Sequence, residues 1–341
     1  MGRSFLWILL AMVIMIIPFS FQIKANQLSY NYYQFSCPKM QSIVKSELQS
    51  LFLTDATAPP AFLRLMFHDC QVQGCDASIL LDYQNCEMIS SRNFGIRERE
   101  RINQLKSILE EECPGKVSCA DIIVLAATES VSFSGGPPIQ IPFGRKDSRT
   151  CATFKEVEAE LPSPTITVDE FISIFKSKGM NIEESVSILG AHTLGVGHCL
   201  NIVSRLYHPQ LGDKMDFGFG ASLRLACPTE IPFTNLTFVP NDFTPVTFDN
   251  QYYRDIIMGR GLFGIDSNIS ADPRTAPSVM RFAMDRNYFF EAFTSAFVKL
   301  SSANVLTDMQ GEVRKQCNLD QMNDDHYKSR DSPAAASSSY L

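Results

Sequence analysis

The chain holds 341 residues, 45% of them hydrophobic and 11% aromatic, with a formal net charge of −7. That is enough apolar material for a substantial core, and the length permits one large domain or two smaller ones. The acidic balance argues against nucleic acids or anionic polymers as main partners.

The N-terminus reads as an export signal. Arg3 gives a positive start, Phe5 to Ile17 form an apolar run, and Pro18 with small or polar residues follows. The run is short for a membrane span, which needs about 20 residues; an uncleaved signal anchor is the alternative. Cleavage near Ala25 makes residues 1–25 the signal and starts the mature chain at Asn26 or Gln27. It removes Arg3 and Lys24 but no acidic residue, so the charge moves from −7 to −9. No later segment is long and apolar enough to span a bilayer.

Helical spacing then predicts Met40–Leu53, with Ile43, Val44, Leu48, Leu51 and Phe52 on one side. It predicts Ala61–Phe67, opened by Pro59 and Pro60, and the charge-rich Glu98–Glu112. Ser118–Phe133 follows, ended by Gly135-Gly136-Pro137-Pro138, and then Val168–Lys178, Glu183–Leu189 and Asn287–Ser301. Strand signals are few and short and no internal repeat is visible, so the class is mainly α. After Cys317, residues 318–341 run in Asp, Ser and Ala with almost no apolar period, which predicts a disordered tail.

All ten cysteines lie beyond the signal. An even number in an exported chain predicts disulfides. Zinc is the weaker reading, because no Cys-x-x-Cys pair occurs and only five histidines exist. Asn235-Leu-Thr237 and Asn268-Ile-Ser270 are glycosylation sequons, in keeping with the secretory route.

The most informative segment is Leu63-Arg-Leu-Met-Phe-His-Asp-Cys-Gln-Val-Gln-Gly-Cys-Asp-Ala-Ser78. Arg64 and His68, four apart, share one face of a helix. A base and a fixed cation there suit the splitting of a peroxide: the histidine moves a proton between the two oxygens and the arginine stabilises the developing charge. Taken alone, a surface arginine and a satisfied core histidine fit the spacing better. The neighbours add weight. Asp69, Val72, Gly74, Asp76 and Ser78 alternate carboxylate, carbonyl and hydroxyl oxygens at the short, irregular spacing that suits calcium, and Cys70 and Cys75 bracket the turn. An ordinary acidic loop is the competing reading.

With this run on the page, the chain resembles the class III secretory plant peroxidases, over nearly the whole mature sequence from Gln27-Leu-Ser to Cys317. The resemblance implies an all-α plant-type haem peroxidase fold over residues 26–317, two helical halves sandwiching one haem b (iron protoporphyrin IX). It makes Arg64 the distal arginine and His68 the distal acid–base residue, with Phe67 at the haem edge. Asn93 is the hydrogen-bond partner of His68, and Glu87 ties that network to a distal calcium. Ser187-Ile-Leu-Gly-Ala-His192-Thr-Leu-Gly looks like the proximal motif, with His192 as iron ligand, the small Gly190-Ala191 pair letting a flat macrocycle approach, and Asp266 as the acceptor that gives His192 partial imidazolate character. On their own, Gly-Ala-His fits a core histidine and Asp266 a turn residue.

A second calcium is implied at Thr193, Thr244, Thr247 and Asp249. Asn241 stands where the family has Asp, which removes a carboxylate and weakens this site; Asp242 is the alternative donor. The resemblance pairs Cys37 with Cys113, Cys70 with Cys75, Cys119 with Cys317, and Cys199 with Cys227. It leaves Cys86 and Cys151 as a fifth bridge or two free thiols. Asp121 and Arg145 match a buried structural ion pair, and Pro162 matches a residue lining the substrate channel. His198, His208 and His326 match no catalytic position and read as structural or solvated. Glu98-Arg-Glu-Arg101 departs from the family's Arg-Gly-Phe. The only tryptophan, Trp7, lies in the signal, so the mature chain carries no surface tryptophan radical site.

The expected activity is reduction of hydrogen peroxide with one-electron oxidation of small phenolic donors. The expected protein is a monomer, secreted to the cell wall or apoplast with the vacuole as alternative, touching no nucleic acid and no membrane once the signal is cut. Two other classes stay open: a secreted haem binder that no longer turns over, and a calcium- and disulfide-stabilised binding module without haem.

Overall fold

The computed structural model describes residues 28–163, 165–209, 213–232, 234 and 236–320. The predicted signal, most of the predicted tail, Asn235 of the first sequon and His326 therefore lie outside the described residues. Residues 318–320, assigned to the tail by composition, hydrogen-bond back to the body. The Asn318 carbonyl accepts from Asp82 N at 3.2 Å, and Tyr83 donates to the Asp320 carboxylate at 2.6 Å.

Thirteen α-helices are described. The first four are α1 (Met40–Thr54), α2 (Ala58–Gln71), α3 (Arg99–Glu112) and α4 (Cys119–Phe133). Met40, Val44, Leu48 and Phe52 recur every four residues and form the buried stripe of α1. Helix α4 is buried almost all round and is the axis against which α1, α2 and α3 pack; the Ser118 side chain caps its start by accepting from Asp121 N. Helix α2 begins three residues earlier than expected, because prolines lack only N–H groups that a first turn leaves unpaired anyway.

The second group holds α5 (Phe154–Glu160), α6 (Val168–Ser177), α7 (Ile182–Leu189), α8 (Val203–Tyr207), α9 (Phe217–Ala226), α10 (Gln251–Ile257), α11 (Gly264–Ala271), α12 (Ala276–Met284) and α13 (Arg286–Ser302). Helices α5, α6 and α7 each open on a reciprocal capping box, Thr153/Glu156, Thr167/Glu170 and Asn181/Glu184. Helix α13 packs on α7 and α12 and also touches α2, so one apolar core runs through both helical halves. The only sheet among the described residues is the ribbon of β1 (Val196–His198) and β2 (Phe238–Pro240), antiparallel, with His198 opposite Phe238.

Five disulfides fasten this frame: Cys37–Cys113, Cys70–Cys75, Cys86–Cys151, Cys119–Cys317 and Cys199–Cys227. Cys86 and Cys151, left open by the sequence, are thus bonded. The Asp121–Arg145 pair is buried, at 2.8 Å, and Tyr33 donates to the same carboxylate at 2.7 Å. Glu98 departs from the family's Arg-Gly-Phe at a telling point. It precedes α3 with φ of 68°, a left-handed conformation that glycine adopts without penalty. Glu98→Gly is expected to raise stability by about 1 kcal/mol, read as an upward shift of the denaturant midpoint.

Candidate active site

Helix α2 presents Arg64 and His68 on one face, and its C-terminal end carries Asp69. His68 Nδ1 lies 2.7 Å from Asn93 Oδ1, and Asn93 Nδ2 donates to the Glu87 carbonyl at 2.9 Å. The amide orientation of Asn93 is fixed by that second bond, so its oxygen faces His68 and the proton of the neutral imidazole sits on Nδ1. The other nitrogen, Nε2, is then a free base. Burial and the neighbouring Arg64 charge push His68 down to about 3, with Asn93 partly offsetting them. Burial also brings Arg64 down to about 10, which still leaves it charged. Arg64 is aimed by two carbonyls, those of Arg92 at 3.2 Å and Phe94 at 2.9 Å.

The Arg92 link extends to the predicted channel. Arg92 pairs with Glu158 at 2.9 Å and donates to the carbonyl of Leu161, the residue before Pro162. Phe67, next to His68, packs toward Phe175 and toward the small cluster of Val72, Ala152, Val157 and Leu161.

Behind His68 the chain continues into an acceptor-rich loop. Ser78 donates its hydroxyl to Glu87 at 2.8 Å and its N–H to Asp76 at 2.9 Å, while Asp69 accepts from Ala77 N at 3.1 Å. Asp69 Oδ1 and Glu87 Oε2 are fully buried without a hydrogen-bond donor. Burial and mutual repulsion raise Asp69 well above its ordinary range, and burial above all raises Asp76 to about 6 and Glu87 to about 7. Buried carboxylate oxygens short of donors fit a hard cation. Among the described residues no group of three or more His, Cys, Asp and Glu side chains has metal-holding geometry, so such a site depends on carbonyl and hydroxyl oxygens as well. Gly74 has φ of 130° and packs so closely that a Cβ would stand 2.4 Å from the Asn304 carbonyl oxygen; only glycine fits.

His192 lies in the 3₁₀ turn Gly190–Thr193 that follows α7. That turn leads to Gly195, which packs on Pro60 in the first turn of α2. A Cβ at Gly95 would lie 3.1 Å from His198 Nε2 and 3.4 Å from Arg64 Nη1. The two halves therefore bring their histidine-bearing segments together. His198 is at this edge, between Phe94 and Phe238 in edge-on ring contacts, and not simply solvated. His208 sits on the surface against Glu230.

The His192 ring is 34% exposed, yet its Nδ1 is buried, so the open edge is the one that bears Nε2. Nδ1 faces Asp266 Oδ1 at 3.6 Å. Asp266 also accepts from Tyr252 OH on Oδ1 and from Phe263 N on Oδ2, both at 2.7 Å. Burial first, then the Asp266 charge, holds Tyr252 well above its ordinary value, so it is a neutral donor. The Phe263 ring lies 5.1 Å from that of His192. An imidazole with a carboxylate behind it and an open Nε2 fits a haem iron ligand. Gly190 serves another purpose than expected: a Cβ there would collide with Phe289 and Tyr253 at 2.4–2.6 Å, so its smallness admits those core rings. Asn268 is exposed while Asp266 is buried, so a glycan at the second sequon points to solvent.

At the second cation position, Asp242 is the side chain bonded to the threonines, accepting from Thr193 at 2.7 Å and from Thr244 N at 2.7 Å. Asn241 donates through Nδ2 to the Leu194 carbonyl at 3.1 Å, and its Oδ1 is buried without a hydrogen-bond donor. Thr193 Oγ1 lies within 3.5 Å of Asp242, Asp249 and the Thr247 carbonyl, and Thr244 Oγ1 lies 3.1 Å from Asp249. One hydroxyl hydrogen cannot satisfy three acceptors, which again fits a cation. Asp242 is the alternative donor that the sequence offered, whereas Tyr252 carried no signal of its own beyond a Tyr-Tyr pair.

An all-helical frame holding a buried neutral base beside a fixed cation, with a carboxylate-backed histidine on the adjoining segment, is the arrangement of a haem peroxidase. The peroxidase family model matches residues 44–285, and the chain belongs to the plant peroxidase family. It is similar to Peroxidase 29 of Arabidopsis thaliana, 53% identical over 85% of this chain and 88% of that protein. It is 40% identical to Peroxidase 21 of Arabidopsis thaliana over 87% and 92%. A cationic peroxidase of Sorghum bicolor is 37% identical over 86% and 82%. The chain is a haem peroxidase that uses hydrogen peroxide to oxidise its substrates, and the family implies both haem and calcium.

Proposed function

We propose that Arg64 and His68 drive peroxide cleavage here, and that the electron donors are small phenols oxidised one electron at a time. The observation that carries this reading is the His68–Asn93 bond at 2.7 Å, which places the proton of the neutral imidazole on Nδ1 and leaves Nε2 as the base. His192 would hold haem b, which would supply an iron centre for one-electron redox chemistry. His68 Nε2 takes a proton from one peroxide oxygen and delivers it to the other, which leaves as water. Arg64, held by two carbonyls, stabilises the negative charge on the departing oxygen. Hydrogen peroxide and two phenols thus give two waters and two phenoxyl radicals. Phe67 and Pro162 border the route of the donor.

The distal calcium is assigned to Asp69, Val72, Gly74, Asp76 and Ser78, with Glu87 linking it through Ser78 to Asn93. The second is assigned to Thr193, Asn241, Thr244, Thr247 and Asp249, with Asp242 as a further donor. Residues 26–317 form the enzyme, exported by residues 1–25 to the extracellular space as a monomer. No helix among the described residues is long and apolar enough to cross a membrane. The test is reconstitution with haem b followed by guaiacol oxidation. A Soret band with peroxide-dependent turnover is expected. A Soret band that ignores peroxide would leave a haem binder, and no Soret band would overturn the site.

A further inference from the structure

Asp266 has more donors than the proximal motif requires. Its Oδ2 is taken by Phe263 N and its Oδ1 by Tyr252 OH, each at 2.7 Å, and His192 Nδ1 approaches the same Oδ1 at 3.6 Å. Tyr252 is 2% exposed and stands edge-on to the His192 ring with centroids 5.8 Å apart. It lies on α10 beside Tyr253, whose hydroxyl donates to the carbonyls of Val186 and Ser187 at 2.9 and 3.2 Å and so braces the helix that leads into the His192 turn. The two tyrosines divide the work: Tyr253 holds backbone, and Tyr252 holds only the carboxylate.

A carboxylate that already accepts two short hydrogen bonds is a weaker acceptor for a third. The charge that Asp266 lends to His192 is therefore set by how strongly Tyr252 competes for Oδ1. We propose that Tyr252 is a positioning residue that limits the imidazolate character of His192, and through it the reduction potential of the bound iron. This rests on His192 being the iron ligand. Tyr252→Phe removes one oxygen and keeps the ring, so Asp266 Oδ1 turns wholly to His192. A more basic ligand favours the ferric state.

The experiment is spectroelectrochemistry and resonance Raman on the haem-loaded full chain. Tyr252→Phe is expected to shift the ferric/ferrous midpoint negative and raise the iron–histidine stretching frequency. Asp266→Asn is expected to move both the other way, and Tyr253→Phe to leave both near wild type. In Asp266→Ala the further change Tyr252→Phe should have no effect, because the shared acceptor is gone. A wild-type midpoint and stretch in Tyr252→Phe, with a shifted Asp266→Asn, would overturn the Tyr252 role and leave the site reading standing. Wild-type protein lacking an iron–histidine mode would overturn both.

Discussion

Replacing His68 by alanine is expected to slow the reaction of the haem-loaded enzyme with hydrogen peroxide by about 10²–10⁴-fold, the usual worth of a positioned acid–base group. Arg64→Ala should cost about 10²–10³-fold through lost charge stabilisation. Stopped-flow mixing with peroxide measures both. The pH profile sharpens the expectation. His68 is held at about 3 by burial and by Arg64, so it is neutral throughout the ordinary working range. The wild-type rate should stay flat between about pH 5 and pH 8, falling only as acid approaches the depressed value. An alanine variant within threefold of wild type would remove His68 from the step.

Stripping divalent cations is expected to lower Tm by about 10 °C, taking about 4 kcal/mol for a cation present at 1,000 times its Kd and a few degrees per kcal/mol. The stripped protein should also show an inverted pH dependence. Asp76 at about 6 and Glu87 at about 7 lie above their ordinary values, as does Asp242 at about 6. The folded chain then keeps protons that the unfolded chain has lost, so its stability falls as pH rises from about 4, the ordinary carboxylate value, to about 7. His68, shifted the opposite way from 6.5 to about 3, opposes this slope below 6.5 as one group against three. Loss of the cation should also loosen the Ser78–Glu87–Asn93 chain and reduce the peroxide rate. Calorimetry with chelator across the window decides it: an unchanged Tm would dismiss the cation sites.

The legible parts of the fold were those where local pattern and tertiary demand coincide. The stripe of α1, the caps and Gly-Pro stop of α4 and the long α13 follow from spacing and punctuation alone. The stretch from Val203 to Met284 was not read as helical, and it holds five helices of five to ten residues. Pieces that short show too few turns for a period to emerge, and α9 leaves Phe217 and Leu225 exposed, which blurs its apolar face. Helix α5 was missed although Thr153-Phe-Lys-Glu156 spells a capping box. In the site, four-residue spacing was enough to put Arg64 and His68 on one face. Asn93, 25 residues from His68, needed the family pattern. The bonding of Asp242 to the threonines turns on where two adjacent side chains point, and Tyr252 acts across 14 residues of sequence. Neither leaves a periodic trace.

The bridge from Cys119 to Cys317 spans 198 positions, and Cys199–Cys227 is nested inside it. The most exposed aromatic of the inner ring, Phe217 at 91%, sits on α9 within that double enclosure. An extracellular protease that cuts once beside it releases nothing. The cut opens a covalent circle rather than dividing a strand, and both new ends stay fastened to the body. A nicked population would run as one species on a gel until a thiol reductant is added. The ring so protected includes His192 and Asp266, so in a proteolytic surrounding the half that carries them survives damage that would dismember an unbridged chain.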